Sequence, residues 1–193
     1  MKSGDNMEDT LAMTGPTERK ARDQAIRTSL ADQEILHHEM VAETELNIDY
    51  AHSPIVFGDA NSSFAAGYRL PDNIPVQLPQ AAPSHLHALG HHAGSTLMLL
   101  GGPTAKASAL LALHAALQKQ VRESPLFETA VALTAGAHVA DSVGHLEPAA
   151  AAQLGIEGNT LLAIRPDGYV GLRADHDHLA ALERYAALLQ NGH

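Results

Sequence analysis

Residues 160–170, TLLAIRPDGYV, constrain the fold more than any other part of the chain. Four apolar residues run into the motif RPDG, and the chain leaves it through Tyr169 and Val170, which is the pattern of a strand, a tight turn and a returning strand. Pro166 presets the first turn angle, and Gly168 can adopt the positive φ that lets the chain reverse. We therefore predict a β-hairpin here.

Hydrophobic spacing predicts the elements before this hairpin. The apolar runs 95–100 and 129–134 each predict a buried strand. Between them, Pro103 fits the first turn of a helix that ends at Ser124-Pro125. A shorter helix is predicted from Pro148, with Gly155 as its C-cap.

A last helix is predicted after Asp175, whose side chain can cap its N-terminus. The buried face of this helix is expected to consist of Leu179, Leu182, Ala186 and Leu189. The resulting order is strand, helix, strand, helix, hairpin, helix. This order predicts an α/β fold of the thioredoxin-like type, with a central sheet of about four strands and helices on both faces.

Composition divides the chain into four segments. Residues 1–16 are polar and without a sustained period, so we expect disorder there. Residues 17–46 have helical spacing and predict an N-terminal helical arm, which must dock on another surface to be stable. Residues 47–93 are rich in Pro, Gly and His and predict an irregular segment that runs over the surface. Residues 94–193 form the predicted thioredoxin-like domain.

Charge and composition exclude several classes of function. The 12 basic residues against 22 acidic ones give a net charge of −10, which would repel a nucleic-acid backbone. Without cysteine the chain can form neither a disulfide nor a thiolate nucleophile. No signal sequence is evident, and no apolar run approaches the roughly 20 residues that a membrane span needs. We expect a cytoplasmic protein without a membrane or nucleic-acid partner.

A series of short motifs extends along almost the whole chain. They are ERKARDQAIRTSLADQEILHHEMVAETELNIDY in the arm, then AAGYRLPD, LMLLGG, LGI with LLAI, and RPDGYVGLR. In this order they resemble the C-terminal third of flavin-dependent aromatic-ring hydroxylases, the group of phenol 2-monooxygenase and the polyketide hydroxylases. The resemblance covers roughly residues 18–190. It implies a thioredoxin-like domain that lacks redox cysteines, lies apart from the flavin and in some members contributes to subunit contacts.

The chain departs from the catalytic pattern of that family. FAD binding by such hydroxylases needs a glycine-rich turn that lets backbone amides approach the pyrophosphate, and no GxGxxG motif occurs here. The turn GGPT at residues 101–104 stands where a thioredoxin would carry its two thiols. We therefore expect no catalytic residue and no bound cofactor in the isolated chain.

Two groups of residues are candidates for ligand binding. Gly101, Gly102 and Thr104 could hold an anion through free amides at a helix N-terminus, although ordinary capping explains the same residues. Imidazole groups are ligands for zinc or nickel, but no recognised metal-site spacing is present, so we expect no physiological metal site. The histidines that come nearest to one are His85, His87, His176 and His178.

The sequence therefore favours a noncatalytic interaction or oligomerisation module, which associates with itself or with a flavoprotein. The apolar residues of the arm that we expect to make the contact are Ala25, Ile26, Leu30, Leu36 and Met40. An alternative is an accessory subunit or truncated form of an FAD-dependent aromatic-ring monooxygenase, active only with an FAD-bearing partner. A third possibility is a small-molecule binding module that uses the loop around residues 84–104.

Overall fold

The structure is a computed structural model, and it describes residues 15, 17, 19–24, 50, 52–58, 64–79, 81–90 and 92–191. The chain divides into two compact units, Met1–Ile48 and Asp49–His193. In the first unit, residues 17 and 19–24 are helical, and the amide of Arg19 donates to the carbonyl of Gly15 at 2.8 Å. The rest of the predicted arm, nearly all of the segment expected to be disordered and the five predicted contact residues lie outside the described residues.

The second unit is built on one mixed sheet. Its strands are β1 Phe57–Gly58, β2 Pro75–Gln77, β3 Ser84–His85, β4 Ser95–Gly101, β5 Phe127–Thr134, β6 Gly144–Leu146, β7 Asn159–Ile164 and β8 Val170–Ala174. They lie in the order β1-β8-β7-β4-β5-β6-β2-β3. Its helices are α1 Ala107–Glu123, α2 Pro148–Gln153 and α3 His178–Asn191, with a 3-10 helix over Leu86–Gly90.

The four longest strands occupy the middle of this sheet. β4 pairs with β5 in parallel, and α1 makes the crossover between them. On its other side β4 pairs with β7 antiparallel, and β7 pairs with β8 through the hairpin that the sequence predicted. Gly168 has the expected positive φ of 83°, and its amide donates to the carbonyl of Arg165 at 2.9 Å, which closes the turn.

The prediction of about four strands is wrong, because the sheet has eight strands over the residues that the structure describes. The additional strands β1, β2, β3 and β6 are only two or three residues long. Such short pieces show no hydrophobic period, and β2 begins with Pro75, a residue that is rare in strands except at edges and first positions. Three of them come from residues 47–93, which we expected to be irregular and superficial.

That segment also contributes to the interior. Phe64, Leu70, Ile74 and Leu86 are buried and belong to a hydrophobic cluster on one side of the sheet. The side chains of β4 alternate between this cluster, which takes Met98 and Leu100, and a second one, which takes Leu97 and Leu99, so the two clusters cover opposite faces. α2 packs on the first face, whereas α1 and α3 supply buried residues to the second.

Two helices begin later than the sequence predicted. α1 starts at Ala107 after the cap residue Lys106, so Pro103 precedes the helix. α3 starts at His178 because the backbone adopts a left-handed conformation at Asp177, with φ of 47°. Its buried residues are Ala181, Leu182 and Tyr185, whereas Leu179, predicted to be buried, is 38% exposed. None of the helices in the described part of the chain is long and apolar enough to span a membrane.

Candidate functional site

The turn after β4 contains the motif GGPT at residues 101–104. Here its polar groups are engaged by the loop that precedes β7. The amide of Gly102 donates to the carbonyl of Gly158 at 2.8 Å, and the amide of Thr104 donates to the carbonyl of Glu157 at 2.9 Å. The hydroxyl of Thr104 donates to that same carbonyl at 2.7 Å. Backbone and side chain of the turn are thus tied to one loop.

The contact between turn and loop is too close for a side chain. A Cβ atom on Gly102 would overlap the carbonyl group of Glu157, a backbone group that cannot move aside. The predicted anion site at Gly101, Gly102 and Thr104 does not have the geometry we expected, for two reasons. The turn lies before the helix N-terminus at Ala107, and the amides of Gly102 and Thr104 already donate to carbonyls of the protein.

The most polar arrangement in the interior surrounds Arg173 on β8. Its side chain is 1% exposed, and Nε and Nη2 donate to the carboxylate of Asp175 at 3.0 and 3.1 Å. Nη1 donates to the carbonyls of Phe64 at 2.5 Å and Leu154 at 2.8 Å. Nη2 also donates to the carbonyl of Gly155 at 2.9 Å. All five N–H groups of the guanidinium therefore have acceptors, and none remains for a ligand.

Asp175 completes this arrangement, which we call the arginine clamp: Arg173, Asp175, Thr160 and the three carbonyls. The hydroxyl of Thr160 donates to Asp175 Oδ1 at 2.5 Å. Burial by itself raises the pKa of Asp175, but the hydrogen bonds from Arg173 and Thr160 and the positive charges nearby outweigh it and lower the pKa below its ordinary value. The clamp joins β7, β8, the end of α2 and the segment at Phe64, so its role is structural.

The histidines that the sequence singled out lie in separate settings. The rings of His85 and His87 have their centroids 6.0 Å apart. His178 Nε2 lies 2.8 Å from the main-chain oxygen of Asn159, and His176 is exposed in the turn before α3. Over the residues that the structure describes, no group of three or more His, Asp or Glu side chains could hold a metal ion.

An open groove of about 610 Å³ lies between α1 and the start of α3. Its walls are formed mainly by alanine and leucine side chains, with Asn159, Asp177 and His178 as the polar groups. The apolar wall residues are Ala109, Ala112, Leu113, Ala116, Leu179 and Ala180. The groove has the size of a ligand site, but it brings together neither a nucleophile and a base nor a set of metal ligands.

Sequence reasoning missed the clamp. The sequence predicts Asp175 as a helix cap, but its carboxylate accepts hydrogen bonds from Arg173 and Thr160. The first hydrogen bond of α3 runs from the amide of Ala181 to the carbonyl of Asp177. A signal was present, because Arg173 interrupts an otherwise apolar strand, VGLRA. An arginine is almost never fully buried unless its charge is paired, so this position predicts an acidic partner close by.

Comparisons with known proteins find similarity at the level of structure. No family model matches the chain, and no curated protein sequence matches it. Among solved structures it is similar to the crystal structure of the flavin-dependent monooxygenase PieE in complex with FAD and substrate, with a TM-score of 0.50 and 19% sequence identity. The match covers 96% of this chain and 31% of that one. The chain thus spans about a third of the length of a flavin-dependent monooxygenase that it resembles in fold.

Proposed function

We propose that this chain is a noncatalytic association module with a thioredoxin-like core, related to a part of the flavin-dependent monooxygenases. It works in the cytoplasm by binding another chain, either a second copy of itself or a flavoprotein, without a cofactor of its own. The observation that carries the proposal is the closed turn after β4, in which the amides of Gly102 and Thr104 donate to the carbonyls of Gly158 and Glu157. The sequence pattern predicts Gly101 and Thr104 of this turn at the thiol positions of a thioredoxin.

The arrangement of the central strands supports the thioredoxin-like part of this proposal. The order β5-β4-β7-β8, with β4 and β5 parallel and β7 antiparallel to β4, is what a strand-helix-strand unit followed by a hairpin produces. A final helix, α3, then returns to the face that α1 covers. The four short strands extend this core on both sides.

The closed turn supports the noncatalytic part. Thiol–disulfide exchange requires a thiolate, and the chain contains no cysteine at any position. The buried cation Arg173 donates all its hydrogen bonds to backbone carbonyls and Asp175, and such an arrangement stabilises a fold. In the described part of the chain, the polar groups of the turn after β4 and of the arginine clamp therefore stabilise the fold.

A second candidate is an accessory subunit of an FAD-dependent aromatic-ring monooxygenase. The likeness in fold to a flavin-dependent monooxygenase, over 31% of that protein's chain, favours it. The two candidates differ in their effect on hydroxylase activity. Removal of an association module leaves the hydroxylase activity of a flavoprotein partner in place, whereas removal of an accessory subunit abolishes it.

The arm residues allow a test by mutation. We expect the double substitution Ile26→Ser with Leu30→Ser to weaken association, because it removes apolar surface from the predicted contact stripe of the arm. Ser29→Ala, on the same arm, is the matched control. Association is measured by sedimentation velocity for the chain alone and by retention of flavin absorbance on gentle purification from native cells. Unchanged assemblies in both measurements would reject the arm as the contact.

A further inference from the structure

The open groove of about 610 Å³ between α1 and the start of α3 has an apolar wall and a polar end. The wall from α1 consists of Ala109, Ala112, Leu113 and Ala116. Their spacing of three, four and seven residues places them in one stripe, which runs about 10 Å along the helix axis. This alanine stripe is long enough for a short extended carbon chain to lie against it.

The apolar surface of the groove is open to solvent. Leu179 of α3 lines it and is 38% exposed, and in the described part of the chain only two other large apolar side chains, Tyr50 and Tyr68, are exposed to a similar degree. The alanine methyl groups fill little of the space between the two helices. A ligand in the groove would therefore remove from water apolar surface that the protein's own side chains leave exposed.

Asp177 supplies a negative charge at the polar end of the groove. Its side chain is exposed, and within the part of the chain that the structure describes its carboxylate takes part in no hydrogen bond or ion pair. By contrast, the carboxylate of the nearby Asp175 is occupied by Arg173 and Thr160. Asp177 thus offers an acidic group that the fold itself does not use.

Two further hydrogen-bond acceptors lie at this end. Asn159 Oδ1 is buried and has no hydrogen-bond partner among the described residues, and its amide group can turn about its last side-chain bond to face the groove. His178 Nε2 lies 2.8 Å from the main-chain oxygen of Asn159. Because a carbonyl oxygen only accepts, Nε2 carries the proton, and Nδ1 of the neutral ring keeps a lone pair. The polar end therefore needs hydrogen-bond donors.

The charge at the polar end decides which head group it favours. The N-terminus of α3 contributes a partial positive charge of about +0.5, whereas the carboxylate of Asp177 contributes a full negative charge. The net charge of −10 on the whole chain also attracts cations and repels anions. A cation with N–H donors is therefore a better match than an anion.

We propose that this groove binds a small primary amine with an apolar chain. The ammonium group, which has three donors and no acceptor, donates to the carboxylate of Asp177 and to Asn159 Oδ1, and the carbon chain lies along the alanine stripe of α1. This ligand site goes beyond the proposed association role and does not depend on it, because none of the residues that line the groove belongs to the arm.

Three probes with the same carbon chain and different head groups test the site. Octylamine carries a positive head group, octanol a neutral one and octanoate a negative one. Each is titrated into the full chain by isothermal titration calorimetry, below the concentration at which the probe forms micelles. We expect octylamine to bind about fivefold more tightly than octanol, as one partly exposed ion pair allows, and octanoate to bind most weakly.

A variant at Asp177 tests the polar end. Asp177→Asn removes the charge, and asparagine tolerates the left-handed backbone of this position, where φ is 47°. It should weaken octylamine about fivefold and leave octanol unchanged. Glu183→Gln removes an exposed carboxylate of the same helix outside the groove, so it is the matched control and should change neither affinity.

A variant on α1 tests the apolar wall. Ala112→Leu fills the groove with a larger side chain and should weaken all three probes about tenfold. Ala115→Leu, at an exposed position of the same helix outside the groove, is the matched control and should leave their binding unchanged. Circular dichroism establishes that each variant keeps the fold.

The inference is overturned if octylamine does not bind the wild-type chain, if the three probes bind equally well, or if octanoate binds most tightly. It is also overturned if Asp177→Asn binds octylamine as tightly as the wild type does. A monomeric chain that binds no flavoprotein but shows the expected order of affinities would support this site and reject the association role.

Discussion

Arg173 donates two hydrogen bonds to Asp175, from Nε to Oδ2 at 3.0 Å and from Nη2 to Oδ1 at 3.1 Å, while its side chain is almost fully buried. The pair lies at the end of β8, and the remaining donors of the guanidinium reach the backbone of α2 and of the segment at Phe64. The side chain of Arg173 thus connects α2 and the segment at Phe64 to the central sheet.

Replacement of this arginine should be costly. We expect Arg173→Met to lower the free energy of unfolding by about 3–5 kcal/mol, because it leaves the Asp175 carboxylate without its cation and three carbonyls without their donor. Urea unfolding followed by circular dichroism measures the change. Arg184→Met, at an exposed position of α3, serves as control and should cost less than about 0.5 kcal/mol. Equal stability of the two variants would contradict a structural role for the clamp.

The same cluster should make the fold acid-sensitive. Because the pKa of Asp175 is lowered in the folded state, its contribution to stability is complete above the unfolded pKa of about 3.9 and is lost as pH falls through the folded value. Asp175→Asn removes this titration. We expect the free energy of unfolding to fall less steeply in the variant than in the wild type below about pH 4. If the free energy of unfolding fell with the same slope in both proteins, folding would not lower the pKa of Asp175.

Tyr185 offers a test of the interior of the second face. It is fully buried beside Gly171, whose lack of a side chain makes room for the phenol, and its hydroxyl has no hydrogen-bond partner among the described residues. We expect Tyr185→Phe to raise the free energy of unfolding by about 1 kcal/mol at neutral pH, since an unpaired buried hydroxyl is removed. Tyr68→Phe is the exposed control. A loss of stability in Tyr185→Phe would reveal a hydrogen bond that this arrangement lacks.

Alkaline titration extends this test. Burial raises the pKa of Tyr185, so the neutral phenol favours the folded state. That contribution is complete below the unfolded pKa of about 10 and is lost as pH rises toward the folded value. The free energy of unfolding should therefore fall above about pH 10 in the wild type and fall less in Tyr185→Phe. Unfolding curves at a series of alkaline pH values measure both slopes.

The closed turn predicts a strong effect of a single methyl group. Gly102→Ala would place a Cβ atom on the backbone carbonyl of Glu157, so we expect a loss of about 1–3 kcal/mol in the free energy of unfolding. At Gly136 the nearest atom to an added Cβ is the Thr134 hydroxyl at 3.4 Å, an ordinary contact, so Gly136→Ala is the matched control. Thermal unfolding distinguishes the two. Equal transition temperatures would mean that the loop before β7 is not held against the turn.

The central elements could be predicted because their residues carry local signals. β4 and β5 are long apolar runs, the hairpin has a turn sequence that fits one geometry, and Gly155 adopts the positive φ of 64° expected of a helix C-cap. Each of these signals is complete within about ten residues, so no knowledge of the rest of the chain is needed.

The peripheral strands and the clamp could not be predicted in this way. β2 forms by pairing with β3 and β6. A strand of two or three residues is too short to show a hydrophobic period in the sequence. Arg173 contacts Phe64, which is 109 positions away, so its partners appear only after the chain has folded. The sequence predicts Asp175 as a helix cap because a cap needs only neighbouring residues, whereas Thr160 reaches it through the pairing of β7 with β8.

The proposed function requires that the chain associates with another chain and holds no flavin of its own. The direct measurement is gentle purification from native cells, with visible absorbance and molar mass recorded together across the size-exclusion elution. We predict that the chain elutes in an assembly larger than 20.4 kDa and that any flavin absorbance separates with another chain when the assembly is dissociated. A monomeric chain that retains stoichiometric flavin would contradict this.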